Sequence, residues 1–222
     1  MADAPKVNIL LLGDAECGKS TFLSFVLPPS LSLSLNQALL SSPLLQPRLV
    51  LLRPNNNSSS LPKHNPIPLL KDINQPFVFD ISVKGTPYRF QLYDTASPES
   101  WTLLTPHVVI LCYDISSRLS LINVQRLWTP QIPLTFPSLA DSLPVLLLGL
   151  KRDLRSEHDP NGIMYPQEAY RVAQELRCDK YMECSAVSGE LVAQVWEDVC
   201  RTAVRSVGGA GAGLSEGGCG VM

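Results

Sequence analysis

At 222 residues, 45% hydrophobic and 17% charged, the chain suits one globular domain of the size that buries roughly 70% of its unfolded surface. A formal net charge of −2 removes the electrostatic case for nucleic acid as a partner. The six cysteines (Cys17, Cys112, Cys178, Cys184, Cys200, Cys219) form no C-x-x-C pair and no metal-ligand spacing, so the thiols read as reduced and the compartment as the cytosolic side.

Val7 to Leu12 is a continuous apolar run ended by Gly13, the pattern of a strand buried on both faces. It is too short for a signal-peptide core, and no apolar run in the chain approaches the ~18 residues of a membrane span. "STFLSFVL" then predicts a short helix ended by Pro28 and Pro29. From Pro28 to Lys71 the composition changes: eight prolines, eight serines, clustered leucines and no acidic residue. Neither period 2 nor period 3.6 holds there, so residues 28–71 read as a low-complexity, unstructured insertion, or as sequence foreign to the domain.

Order resumes at Pro76. "FVFDISV", the turn "KGTP" and "YRFQLYD" predict a hairpin by alternation and turn chemistry. His107–Tyr113 and Pro144–Leu150 are buried-strand runs, and Tyr181–Cys184 is a shorter one. Helical patterns lie between them. Ser117–Trp128 carries Leu121, Val124, Leu127 and Trp128 on its apolar face, Pro166 opens another helix as a first-turn proline, and Gly189–Val207 carries a stripe from Leu191 to Val204. Strands alternating with helices predict an α/β fold, a mostly parallel sheet covered on both faces. The glycine-rich residues 208–222 read as a flexible tail.

"GDAECGKS", Gly13 to Ser20, has the spacing G-x-x-x-x-G-K-[ST] between a buried strand and a helix. Its glycines let backbone N–H groups turn towards a phosphate, Lys19 reaches the outer phosphates, and the Ser20 hydroxyl ligates Mg²⁺. An ordinary glycine turn does not account for Lys-Ser at a helix start. Asp94 ends the strand expected beside this loop. Ligands in such sheets sit at the carboxyl ends of parallel strands, so Asp94 is a second metal candidate, through a water, rather than a plain turn cap. "LKRD" (Leu150 to Asp153) and "ECSA" (Glu183 to Ala186) follow two further strands.

With "RLWTPQI" (Arg126 to Ile132), "LGLKRDLR" and "YMECSA", this set resembles a small GTPase of the Ras superfamily, Rho-like, divergent and of fungal type, over much of residues 6–207. The resemblance implies the P-loop NTPase fold, six strands with one antiparallel edge strand, and residues 1–207 as the GTPase domain with 28–71 in place of the first switch region. It implies GTP or GDP as ligand, Mg²⁺ as cofactor, and exchange factors and effectors as partners. Gly13, Asp14, Ala15, Glu16, Cys17, Gly18, Lys19, Ser20 and Thr21 would line the phosphates. Asp153 would accept from the guanine N1–H and amino group, Lys151 would pack along the base with Leu154 nearby, and the Ser185–Ala186 backbone would meet the guanine oxygen. A polar contact of that kind rejects adenine because the wrong base leaves buried groups unpaired. The final "CGVM" resembles a prenylation box, implying a farnesyl group on Cys219 and attachment to the cytoplasmic face of a membrane beside a soluble cytosolic pool.

The departures from the family pattern fall on hydrolysis. Where the family reads D-T-A-G-Q-E, this chain reads D-T-A-S-P-E. Ser97 replaces the glycine whose N–H binds the γ-phosphate, and Pro98 replaces the glutamine that orients the attacking water; a proline side chain neither donates nor accepts. Asp72 falls where a threonine senses Mg²⁺ and γ-phosphate, making it a further metal candidate that also faces an anion. Ala15 occupies a glycine position, Glu16 adds charge, and Leu150 replaces an Asn or Thr that helps hold the base. No catalytic side chain is assigned, and slow hydrolysis is expected. The rival reading is a pseudo-GTPase scaffold that holds no nucleotide tightly. A P-loop kinase or ATPase would need an acceptor-substrate lid in place of "LKRD" and "ECSA".

Overall fold

The computed structural model describes residues 4–26, 76–83, 85–94, 101, 104–156, 158 and 164–208. The insertion at 28–71, Asp72, Ser97, Pro98 and the tail with Cys219 lie outside the described residues. The chain runs through β1 (Lys6–Leu12), α1 (Lys19–Val26), β2 (Phe77–Val83), β3 (Thr86–Asp94) and β4 (Val108–Asp114). Then come α2 (Arg118–Asn123), a π-helical segment (Val124–Trp128), α3 (Thr129–Thr135), β5 (Val145–Leu150), a 3-10 turn (Arg152–Leu154), α4 (Pro166–Glu175), β6 (Lys180–Glu183) and α5 (Val192–Gly208).

The six strands form one sheet in the order β2-β3-β1-β4-β5-β6. Only β2–β3 is antiparallel, through the hairpin at Gly85, and every other pairing is parallel. This is the expected sheet with one antiparallel edge strand. β1 shows why its sequence is apolar without alternation: Val7, Ile9 and Leu11 enter one core and Leu10 and Leu12 the other, all at 0% exposure. Phe22 and Leu23 of α1 and Val195, Trp196 and Val199 of α5 fill the first core. Leu121, Val124, Trp128 and Ile132 of the α2–α3 stretch, with Ala169 and Val172 of α4, fill the second. Because β3, β1, β4, β5 and β6 run the same way, their carboxyl ends meet at one edge of the sheet, and Gly13–Ser20, Asp94, Leu150–Asp153 and Glu183–Ala186 lie there.

Three local expectations change. The helix expected to end at Trp128 continues to Thr135, passing Pro130 in its first turn and Pro133 inside it. A proline lacks the N–H that would satisfy the carbonyl four residues back. The chain winds wider just before Pro130: the Thr129 N–H and Oγ1 both reach the Val124 carbonyl, the hydroxyl at 2.8 Å. That wider winding turns Leu127 out of the apolar face, to 48% exposure. Leu191 stands before α5 in a left-handed conformation (φ 59°) instead of joining its stripe. His107 precedes β4, where its Nδ1 accepts from the Asn8 N–H at 3.0 Å.

Candidate functional site

The loop Gly13–Gly18 folds under tight backbone constraints. Gly13 adopts φ 152°, and a Cβ there would sit 2.2 Å from the Cys112 carbonyl oxygen on β4, so only glycine lets β1 and β4 pass this closely. Gly18 (φ 109°) and Glu16 (φ 61°) are also left-handed, while Ala15 and Glu16 are exposed. The Cys17 N–H closes the turn on the Asp14 carbonyl at 3.4 Å, and the Phe22 N–H meets the Gly18 carbonyl at 2.9 Å as α1 begins. Burial raises the Cys17 thiol pKa, an effect the Lys19 ammonium only partly offsets.

Lys19 is 5% exposed, and its Nζ donates to the loop's own carbonyls, Gly13 O at 2.9 Å and Asp14 O at 2.7 Å. Among the described residues it forms no ion pair. Beside it, the Ser20 hydroxyl donates to Asp94 Oδ2 at 2.5 Å. Asp94 lies opposite Leu11 in the β1–β3 register, which carries its carboxylate to the start of α1. A hydroxyl and a carboxylate thus converge, a donor set that suits a hard cation otherwise ligated by water and phosphate. Among the described residues no three His, Cys, Asp or Glu side chains cluster to enclose a metal by themselves.

The Asp14 carboxylate is held from behind by the α2–α3 stretch: Asn123 Nδ2 donates to Oδ2 at 2.9 Å and Trp128 Nε1 to Oδ1 at 2.8 Å. Trp128 in turn packs on the fully buried Trp101, ring centroids 6.1 Å apart.

The second half of the site is the junction of β5 and β6. Asp153 is exposed at the 3-10 turn and accepts a short hydrogen bond from Ser185 Oγ. Ser185 and Ala186 are buried, and the Ser185 N–H is bonded to Glu190 O at 3.0 Å. Two backbone bonds tie the loops together, Cys184 N–H to Gly149 O at 2.9 Å and Arg152 N–H to Cys184 O at 3.2 Å. Lys151 is left-handed (φ 58°), and its Nζ donates to Asp114 Oδ2 at 2.7 Å. Leu150 is 2% exposed, with its Cβ 3.6 Å from where a Cβ on Gly18 would stand; this packing joins the two halves. Leu154 is half exposed beside them.

Beneath the β5–β6 junction lies a polar network. Arg155 Nη1 donates to Glu183 Oε2 at 2.8 Å, its other terminal nitrogen and the Tyr181 hydroxyl both reach Oε1, and its Nε donates to Met164 O at 2.8 Å. Burial pushes the Glu183 carboxyl upwards, but the bonds from Arg155 and Tyr181, with the Arg155 and Arg152 charges, hold it below the ordinary value. Tyr113 and Tyr181 share a hydrogen bond at 3.1 Å, and burial drives both phenols well above their usual range.

The structure therefore gathers Gly13 to Thr21, Asp94, Lys151, Asp153, Leu154, Ser185 and Ala186 at one sheet edge. Sequence reasoning missed Asn123, Trp128 and Asp114. Trp128 was within reach through "RLWTPQI" but read as an apolar-face residue, and Asp114 carries the same strand-end signal as Asp94. Asn123 carries no sequence signal.

The Ras family model matches residues 73–205, a span that begins after the Gly13–Ser20 loop. The chain is 37% identical over 144 residues to the GTP-binding protein rho1 of Schizosaccharomyces pombe, covering 58% of this chain and 68% of that protein. It is 35% identical over 144 residues to the GTP-binding protein rho5 of the same yeast, covering 58% and 69%.

Proposed function

The chain belongs to the Ras family of small GTPases, Rho-like within it, and from that premise we propose a membrane-attached signalling switch that holds GDP or GTP with Mg²⁺ and hydrolyses GTP slowly. The observation that carries the reading is Lys19, a buried ammonium whose oxygen partners are two backbone carbonyls. Among the described residues such a cation has no ion-pair partner, and a phosphate supplies one. The Gly13–Gly18 backbone cradles the phosphates, and Asp14, drawn back by Asn123 and Trp128, leaves the anion's side of the loop.

Ser20 and Asp94 hold Mg²⁺, which when bound neutralises charge building up on the phosphates. Asp153 reads the guanine edge, with Ser185 orienting the carboxylate. Lys151 and Leu154 border the base, and the Ser185–Ala186 backbone meets its oxygen. Hydrolysis of the γ-phosphate depends almost wholly on positioning and charge stabilisation. Pro98 offers no group to orient water, Ser97 takes the place of a phosphate-contacting glycine, and Asp72 adds an acid, so binding outlasts catalysis. A lipid on Cys219 attaches the chain to a cytoplasmic membrane face, with effectors and exchange factors as partners. The domain then spans 1–207, with 28–71 as an insertion and 208–222 as tail.

The test is direct. The purified protein is denatured and the released material chromatographed, followed by competition between GTP and ATP for wild type and Asp153→Ala. Guanine nucleotide is expected, with the preference lost in the variant. Release of no nucleotide, combined with equal weak binding of ATP and GTP, points to a scaffold that works through its surface.

A further inference from the structure

We infer that Asp114 is a positioning residue for the base-binding half of the site, holding Lys151 across the phosphate loop where a guanine ring would lie. The inference rests on the nucleotide-binding reading above. Asp114 closes β4 opposite Leu150 of β5, and the next N–H, of Ile115, bonds Leu150 O at 3.0 Å. Its side chain is 13% exposed and held from both sides. Oδ1 accepts from the Ser116 N–H at 2.8 Å and from Ser116 Oγ at 2.6 Å, while Oδ2 accepts from Lys151 Nζ at 2.7 Å. The Asp114 N–H also donates to Ser120 Oγ at 3.1 Å. A carboxylate fixed this way is a rigid anchor, not a mobile surface acid.

Lys151 is the residue that needs an anchor. Its backbone is left-handed, a conformation that is strained for a non-glycine residue. The side chain of its neighbour Leu150 has no polar atom to offer the loop or a base. The Lys151 stem crosses the phosphate loop, with Cε 3.7 Å from where a Cβ on Gly18 would stand, and only then reaches Asp114. The ion pair therefore fixes two things. It lays the aliphatic stem flat, as a purine face requires, and it commits the ammonium to Asp114 so that it does not swing towards the phosphates. The polar hold that Leu150 cannot provide comes from the adjacent strand end.

The experiment follows dissociation of a fluorescent GDP from the full chain with Mg²⁺, in wild type, Asp114→Asn, Lys151→Met and the double variant. Asp114→Asn keeps an acceptor for Ser116 but loses the charge facing Lys151, and dissociation is expected to quicken roughly tenfold, the worth of one charge-assisted hydrogen bond. Lys151→Met is expected to quicken it as well, and Asp114→Asn to add nothing in that background. The same factor persisting without the lysine would show that Asp114 acts only by shaping the β4–α2 turn, and the inference falls. A wild type that retains GDP, with an unchanged rate in Asp114→Asn, overturns this inference alone. A wild type from which no guanine nucleotide is released overturns the nucleotide-binding reading too.

Discussion

Replacing Lys19 by methionine separates a cation kept for a ligand from one kept for the fold. The side chain is 5% exposed, and its ammonium makes two hydrogen bonds to carbonyl oxygens, at 2.9 and 2.7 Å. Each bond to a charged group contributes about 1.5–3 kcal/mol, so the pair returns roughly 3–6 kcal/mol. Against this stands the desolvation of an ammonium with no ion-pair partner among the described residues, which is several kcal/mol in a real protein interior. The two nearly cancel, and methionine fills much the same volume. Nucleotide-free Lys19→Met is therefore expected within about 2 kcal/mol of wild type; at about 2–4 °C per kcal/mol for a domain of this size, the melting temperature moves by no more than about 8 °C. With GDP and Mg²⁺ at a hundred times the wild-type dissociation constant, wild type gains about 2.7 kcal/mol and the variant gains nothing. Thermal unfolding with and without GDP measures both. If the nucleotide-free variant loses about 3–6 kcal/mol, the full worth of the two lost hydrogen bonds, Lys19 is a structural tie between loop carbonyls and the reasoning is refuted.

Trp128→Phe keeps the packing on Trp101 but removes the indole donor to Asp14, and is expected to lower stability by about 1.5–3 kcal/mol in urea denaturation and to speed nucleotide release. An unchanged midpoint would mean that water replaces the indole. Glu183 is held below its ordinary value despite burial, so it stabilises the fold above a pH of about 4.3 and loses that contribution as pH falls through its lower folded value. Acid titration of wild type against Glu183→Gln should show a shallower acid slope in the variant. Ser97→Gly combined with Pro98→Gln is expected to raise single-turnover GTP hydrolysis, and no gain would shift the defect to Asp72 or to residues 28–71. Cys219→Ser is expected to move the membrane-bound fraction into the soluble pool, since the tail from Gly208 has no lysine or arginine to supply a second attachment signal; fractionation decides it.

Legibility followed the range of the interactions. The strand–loop–helix unit from Val7 to Val26 was readable because it is local: a run buried on both faces, glycines at two strained positions, and a lysine and serine opening a helix. The sheet followed from strand runs alternating with helical patterns. The partners of Asp14 were not readable, because Asn123 and Trp128 stand 109 and 114 residues further along the chain and touch it only after β4 pairs with β1. Leu127 was misassigned for a different reason. The rule of 3.6 residues per turn fails where Pro130 forces a wider winding, so an apolar residue at regular spacing faces solvent. Asp114 bore a strand-end signal, but a strand end does not say which cation will meet it.

The uneven pattern of change has a physical basis in where the site residues are anchored. Leu150 (2% exposed), Ser185 (0%) and Ala186 (7%) are part of the packing between sheet and helices. Gly13 cannot gain a Cβ without meeting the Cys112 carbonyl. A substitution at these positions damages the fold as well as the site, by the cavity, overpacking or strain it creates. Ser97 and Pro98 follow β3 in the sequence and residues 28–71 follow α1, and all of them lie outside the described residues. A chain under weak pressure to hydrolyse but continued pressure to fold would lose the groups that act on the γ-phosphate first. It would keep Gly13, Leu150, Ser185 and Ala186 longest, because those residues hold the sheet edge together. Leu150 illustrates the point: its side chain packs beside Gly18, and Asp114, opposite it in register on the neighbouring strand, takes the ion pair from the adjacent Lys151.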